Sequence, residues 1–169
     1  VRALCNNTSG TDNTVLGHYA MIENTTGLYN TAVGKNALRN NLVGSNNVAV
    51  GLNALQCNTG SNNTAVGLHA LRLNTTGAFN VALGFRASDS NTTGCQNISI
   101  GGYALFANTT GIFNIAIGQN SLVCNIVGTG NTAVGWSALY KNTASNNTAV
   151  GNQALKCNTT GDNNVALGR

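Results

Sequence analysis

Charge is what this chain has least of. Only 7% of its 169 residues are Asp, Glu, Lys or Arg, and proline is absent. The net charge of +4 rests on Arg2, Lys35, Arg39, Arg72, Arg86, Lys141, Lys156 and Arg169, which form no run. Aromatic residues amount to 5%, so the chain lacks the clustered basic surface with interleaved aromatics that nucleic acid requires. No apolar run approaches the ~20 residues of a membrane-spanning helix, and no signal-peptide pattern opens the chain; no membrane insertion is expected. The carboxylates are Asp12, Glu23, Asp89 and Asp162 alone. Unrepeated, they do not suit a calcium-binding roll, and they give a glycan-cleaving enzyme no carboxylate pair. His18 and His69 stand isolated, and no nucleophile elbow or phosphate loop is present. A non-catalytic protein without metal or cofactor is therefore expected.

The five cysteines, Cys5, Cys57, Cys95, Cys124 and Cys157, include no Cys-x-x-Cys pair. They never fall in neighbouring repeats of the pattern described next. Stacked repeats lie ~4.8 Å apart, so two repeats of separation is roughly 9.6 Å, beyond the ~7 Å reach of a disulfide. The thiols are read as small packing residues, with bonds between chains as the alternative.

Repetition fills the space left by these absences. Asn-[Thr/Val/Ile]-[Ala/Ser/Val]-[Val/Leu/Ile]-Gly recurs ten times, closing at Gly17, Gly34, Gly51, Gly67, Gly84, Gly101, Gly118, Gly135, Gly151 and Gly168. The intervals are 17 or 16 residues throughout. So strict a period means one small unit stacked on its own copies. The apolar residues alternate with period two, and Asn-Thr-Thr-Gly is a poor helix former. The fold class is all-β: a parallel β-solenoid, or β-roll, of about ten 17-residue coils, with residues 1–169 forming a single repeat domain. Seventeen residues give a perimeter of at most ~56 Å, and ten coils a length of roughly 48 Å.

Within one repeat, Asn63 to Gly67 reads as a short strand. Alternation places Thr64 and Val66 on one side and Asn63, Ala65 and Gly67 on the other. The β-branched Thr64 column and the Val66 column are expected to form the inner wall. The small residues opposite would then make a flat outer wall suited to another chain. A second apolar pair, such as Ala37-Leu38 or Ala70-Leu71, should be the other inward step. Glycines seven residues before the strand glycines, such as Gly27 and Gly77, suggest a turn with positive φ; Ala144 in that column should be mildly strained. Both 16-residue repeats lose their residue between the Leu and the turn.

The asparagine that opens every strand motif stands at 13, 30, 47, 63, 80, 97, 114, 131, 147 and 164. Asn13, Asn30, Asn47, Asn63, Asn80, Asn97, Asn114, Asn131, Asn147 and Asn164 are expected to stack as a structural amide ladder. Asn24, Asn74, Asn91, Asn108 and Asn158 head Asn-Thr-Thr-Gly sequons and are candidate glycosylation sites at the turns. An Asn- and Thr-rich chain also generates sequons by composition alone. An ice-binding array would need a flat column of Thr, whereas here Thr is mixed with Val and Ile in a column read as inward.

Asn114-Ile115-Ala116-Ile117-Gly118 and Asn80-Val81-Ala82-Leu83-Gly84 resemble the Ser-Val-Ala-Ile-Gly-like repeats of trimeric autotransporter adhesin heads. The Asn-Thr-Ala-Val-Gly and Asn-Thr-Thr-Gly repeats also look like the shafts of phage and large-virus fibres. The resemblance spans the chain. It implies a trimeric, adhesive surface fibre located extracellularly, on a cell or on a virion, with a host receptor or glycan as further partner. The 17-residue repeat is longer than the usual adhesin-head repeat, a departure that bears on the left-handed coil and the trimer contacts of that family.

Val1 to Cys5 reads as half a coil, and Arg169 follows the tenth strand glycine. With no cap visible at either end, the chain is expected to be a segment of a longer fibre or a unit stacking end to end. The function expected is a non-catalytic structural and adhesive fibre segment, homotrimeric or polymeric. A self-assembling filament without receptor function is the alternative.

Overall fold

A computed structural model describes residues 2–169; Val1 lies outside the described residues. The chain is a parallel β-solenoid. Ten three-residue strands, β1 (Thr14–Leu16), β2 (Thr31–Val33), β3 (Val48–Val50), β4 (Thr64–Val66), β5 (Val81–Leu83), β6 (Ile98–Ile100), β7 (Ile115–Ile117), β8 (Thr132–Val134), β9 (Thr148–Val150) and β10 (Val165–Leu167), form one sheet in sequence order. Every pair is parallel, and like residues face each other: Thr14 against Thr31, Val81 against Ile98, Val134 against Val150. No register slips, because each coil brings an identical hydrogen-bonding edge to the next.

The sidedness of the strands is the reverse of the expected one. The middle residue is inside: Ala32, Ala49, Ala65, Ala82, Ala116, Ala133 and Ala149 have no exposed surface. The flanking residues, Thr64 and Val66 among them, lie on the outer face and are half-buried or exposed. The expected outer wall of small residues is thus the inner wall.

Backbone geometry explains the inversion. Three corners of a coil are left-handed and, apart from Gly130, carry residues other than glycine: one just before the Asn (Tyr29, Phe79, Phe113), one two residues after the Gly (Asn53, His69, Tyr103), one at the buried Leu (Leu38, Leu71, Leu105), these nine with φ between 50° and 61°. Such φ values cost roughly 1–2 kcal/mol for an L-residue. Full burial of the corner Leu in the inner coils, a gain of about 1.5–3 kcal/mol, offsets the cost of that one corner. The sharp corners draw opposite walls close, so the interior accepts Ala, Gly, Asn and at most one large side chain per coil, Leu in most of them. The Ala-Leu pair is inward as expected.

The two glycine columns have different reasons. The strand-closing glycines have φ between 106° and 142°, a region unfavourable to side chains. The turn glycines, expected to need positive φ, do not have it. At Gly27 a Cβ would instead collide with the Gly44 carbonyl oxygen and with Asn24 Oδ1. Steric space, not φ, selects glycine there, and Ala144 is likewise outside the positive-φ region. The residue missing from the two short coils is one Thr of the turn, giving Asn58-Thr59-Gly60 and Asn142-Thr143-Ala144. Nδ2 of Asn58 and Asn142 therefore reaches a carbonyl two residues on rather than three.

Candidate functional site

Side-chain amides run the length of the solenoid interior. Asn80 is 1% exposed. Its backbone N–H and Nδ2 both donate to Asn63 Oδ1, at 3.0 and 3.2 Å, and Nδ2 also donates to the Gly94 carbonyl at 2.8 Å. Asn97 repeats the pattern on Asn80 Oδ1, and Asn114 on Asn97 Oδ1. Asn13, Asn30, Asn47, Asn63, Asn131, Asn147 and Asn164 occupy the same column. From Asn13 to Asn147 each inward Oδ1 accepts the backbone N–H of the asparagine one coil on, which an apolar residue would leave unpaired in a buried place. From Asn30 to Asn147 each Nδ2 has two acceptors within the solenoid; Asn13 and Asn164, in the end coils, have one each.

A second amide ladder went unrecognised in the sequence. Asn24 Nδ2 donates to Asn7 Oδ1 at 2.8 Å and to the Gly27 carbonyl. Asn41, Asn58, Asn74, Asn91, Asn108 and Asn125 continue it, each on its predecessor. The signal was present in the sequence: these residues keep the same period as the strand asparagines, six residues before them, or five in the two short coils. At the short coils the two ladders meet, Asn63 Nδ2 on Asn58 Oδ1 and Asn147 Nδ2 on Asn142 Oδ1.

The candidate glycosylation residues belong to this second ladder. Asn24, Asn74, Asn91 and Asn108 are buried, and their Nδ2 atoms, where a glycan would attach, are engaged. Asn158 is half-buried and donates to Asn142 Oδ1 and the Gly161 carbonyl. The following Thr is engaged too: the hydroxyls of Thr25, Thr75 and Thr92 donate to carbonyls of the next coil at 2.8–3.0 Å. The Asn-Thr dipeptide is used as a stacking element, and a glycan on these residues requires the turn to open.

Among the described residues no pocket and no cluster of three metal-ligating side chains is found, and no helix is long and apolar enough to cross a membrane. All five cysteines are free; Cys95 Sγ accepts the Ala78 N–H at 3.3 Å, as Ser45 and Ser61 hydroxyls do in neighbouring coils. One polar cluster breaks the periodicity. Buried Asp89 accepts from Arg72 Nε at 2.8 Å, with Arg86 Nε at 3.6 Å. The hydrogen bond to Asp89 raises the Arg72 pKa. Arg86 also lies over the Phe85 and Phe106 rings. Nearby, Asn36, Asn53 and His69 form a short ladder, in which Asn53 Nδ2 lies 3.0 Å from His69 Nε2. Burial lowers the His69 pKa. A neutral ring accepting at Nε2 fits both facts.

The outer sheet face is what remains, and it is chemically unlike the rest of the surface. Of the nineteen large hydrophobic residues exposed among the described residues, fifteen lie on this face or in the columns flanking it; only Leu42, Val43, Ile126 and Val127, at two turns, lie elsewhere. That distribution marks one side of the solenoid as the apolar one. The first column holds five Thr among Val and Ile; the second, from Leu16 to Leu167, is Val, Leu or Ile throughout. The second column lacks any hydroxyl, so the face is a ribbed apolar strip rather than a regular hydroxyl array. No protein family, curated protein or solved structure matches the chain.

Proposed function

We propose that this solenoid is a structural and adhesive segment of an extracellular surface fibre, on a cell or a virion, whose work is association and not catalysis. Copies of the chain pack side by side through their outer sheet faces, in threes if the adhesin-like motifs carry their usual assembly with them. The observation that carries the reading is the apolar strip: an exposed, charge-poor face that long is an interaction surface far more often than a solvated one. Neutral Asn- and Thr-rich turns then make the outer surface of the assembly, where a receptor or glycan would be met. Location outside the cell rests on this neutral surface and on the motif resemblance.

Sedimentation of the full chain across a wide concentration range, with electron cryomicroscopy of the assembled state, tests this. Compact rods with a small fixed number of chains and the sheet faces turned inward are expected. A monomer at every concentration removes side-by-side association, and continuous filaments with joined coil ends would replace the fibre-segment reading with end-to-end self-assembly.

A further inference from the structure

The outer face and the interior change character at the same place. On the outside, β5 to β7 carry the bulkiest rungs: Ile98, Ile100, Ile115 and Ile117 are flanked by Phe79 and Phe113, which are 60% and 54% exposed. Towards either end, β2, β4, β8 and β9 place Thr in the first column. A large apolar centre with hydroxyl-bearing flanks is the anatomy of an interface whose centre carries most of the binding.

On the inside, the same rungs have the poorest core. Ser88 replaces the buried Leu found in most other coils, and Ser99 replaces the buried Ala of the strand. Their hydroxyls bond each other at 2.9 Å, and Ser99 Oγ bonds the Val81 carbonyl. The apolar interior is divided there: one cluster ends at Ala87 and the next begins at Ala104. Two well-filled halves are joined by a polar seam, and the seam lies under the most apolar part of the outer face.

We infer that a second copy of this chain seats on the outer face with its anchor at β5–β7, and that this contact holds the two halves together across the Ser88–Ser99 seam. The inference rests on the side-by-side association proposed above and locates it. Pitch identifies the occupant. Side-chain ridges repeat at the strand spacing, ~4.8 Å, and another copy of this solenoid presents grooves of the same pitch along its whole length. Ten rungs by about five residues of strand and flank give a face of roughly 800 Å², the share each partner contributes to a stable interface of standard size. From β3 to β9 neither the strand columns nor the flanking ones contain a charged residue, so nothing on the face selects a charged partner.

The experiment compares I100K at the centre with V33K near the end, by sedimentation and by amide hydrogen exchange on the full chain. Both side chains point outward, so the separate coil should fold. I98T, which installs the residue found at five other rungs of that column, reads the same loss should I100K fail to fold. Expected is about 30-fold or more weaker association for I100K, a clearly smaller effect for V33K, and loss of exchange protection at Ser88 and around β6 but not around β2. The core-filling pair S88L/S99A should restore that protection in the I100K background without restoring association; Leu takes the same left-handed φ in the neighbouring coils. Equal losses from I100K and V33K would overturn the central anchor while leaving association standing. Protection unchanged by dissociation would overturn the coupling to the seam. A wild-type chain that never associates would overturn both this inference and the reading beneath it.

Discussion

Each three-residue strand shows two faces governed by opposite rules. Inward, Asn and Ala are nearly invariant and, away from the two end coils, buried, and the strand-motif amides bond to neighbouring coils. Outward, Thr, Val, Ile and Leu exchange freely along the column. The interior is fixed by space and by hydrogen bonds, which tolerate one size and one geometry. The exterior is fixed only by shape along a ridge, so any β-branched or aliphatic residue serves.

Substitutions on the two faces should therefore differ sharply. The largest effect is expected from A116D, which buries an unpaired carboxylate in a narrow apolar wall; a loss of more than about 4 kcal/mol would show in thermal unfolding followed by circular dichroism. N80A comes next. It leaves the Asn97 N–H without its acceptor and the Gly94 carbonyl with Asn91 Nδ2 as its remaining side-chain donor, at about 1–3 kcal/mol for the buried N–H; a midpoint within error of wild type would contradict the ladder's role. V66T on the outer face should change the stability of the separate chain by under about 0.5 kcal/mol, read by denaturant titration below the association range. A loss as large as that of N80A would show that the faces do not differ.

The smallest effect concerns pH. The folded-state pKa of His69 is lowered by burial, so the unfolded chain takes up the proton first as pH falls. The stability this group contributes is therefore complete above its ordinary pKa of 6.5 and declines below it. The ring is partly open to solvent, so screening keeps the loss small. H69N, matching Asn36 and Asn53 of the same column, should flatten the slope of thermal midpoint against pH between neutrality and mild acid; an unchanged slope assigns it to another group.

Much of this was legible in the residues. The period gave the solenoid, the number of strands and their register, because identical neighbours leave only one pairing. The Ala-Leu pair announced an inward step by its composition. The second amide ladder could have been read from its phase but was masked by its sequon-like context. The left-handed Leu corners had no signal, since Leu rarely adopts such φ and does so here only because full burial offsets the cost. The Ser88–Ser99 seam was visible only as two departures from consensus, eleven positions apart in sequence; the coil brings them into contact.

Alternation by itself determined that Thr64 and Val66 share one side of the strand and Asn63 and Ala65 the other. Period two divides a strand into two sets without saying which set is inside. That choice was made by the tertiary structure. The left-handed corners narrow the coil until branched side chains no longer fit within it, and the buried N–H that precedes each strand needs an acceptor, which the inward Asn of the neighbouring coil supplies. The apolar residues, excluded from their own core, became the surface on which another chain can pack.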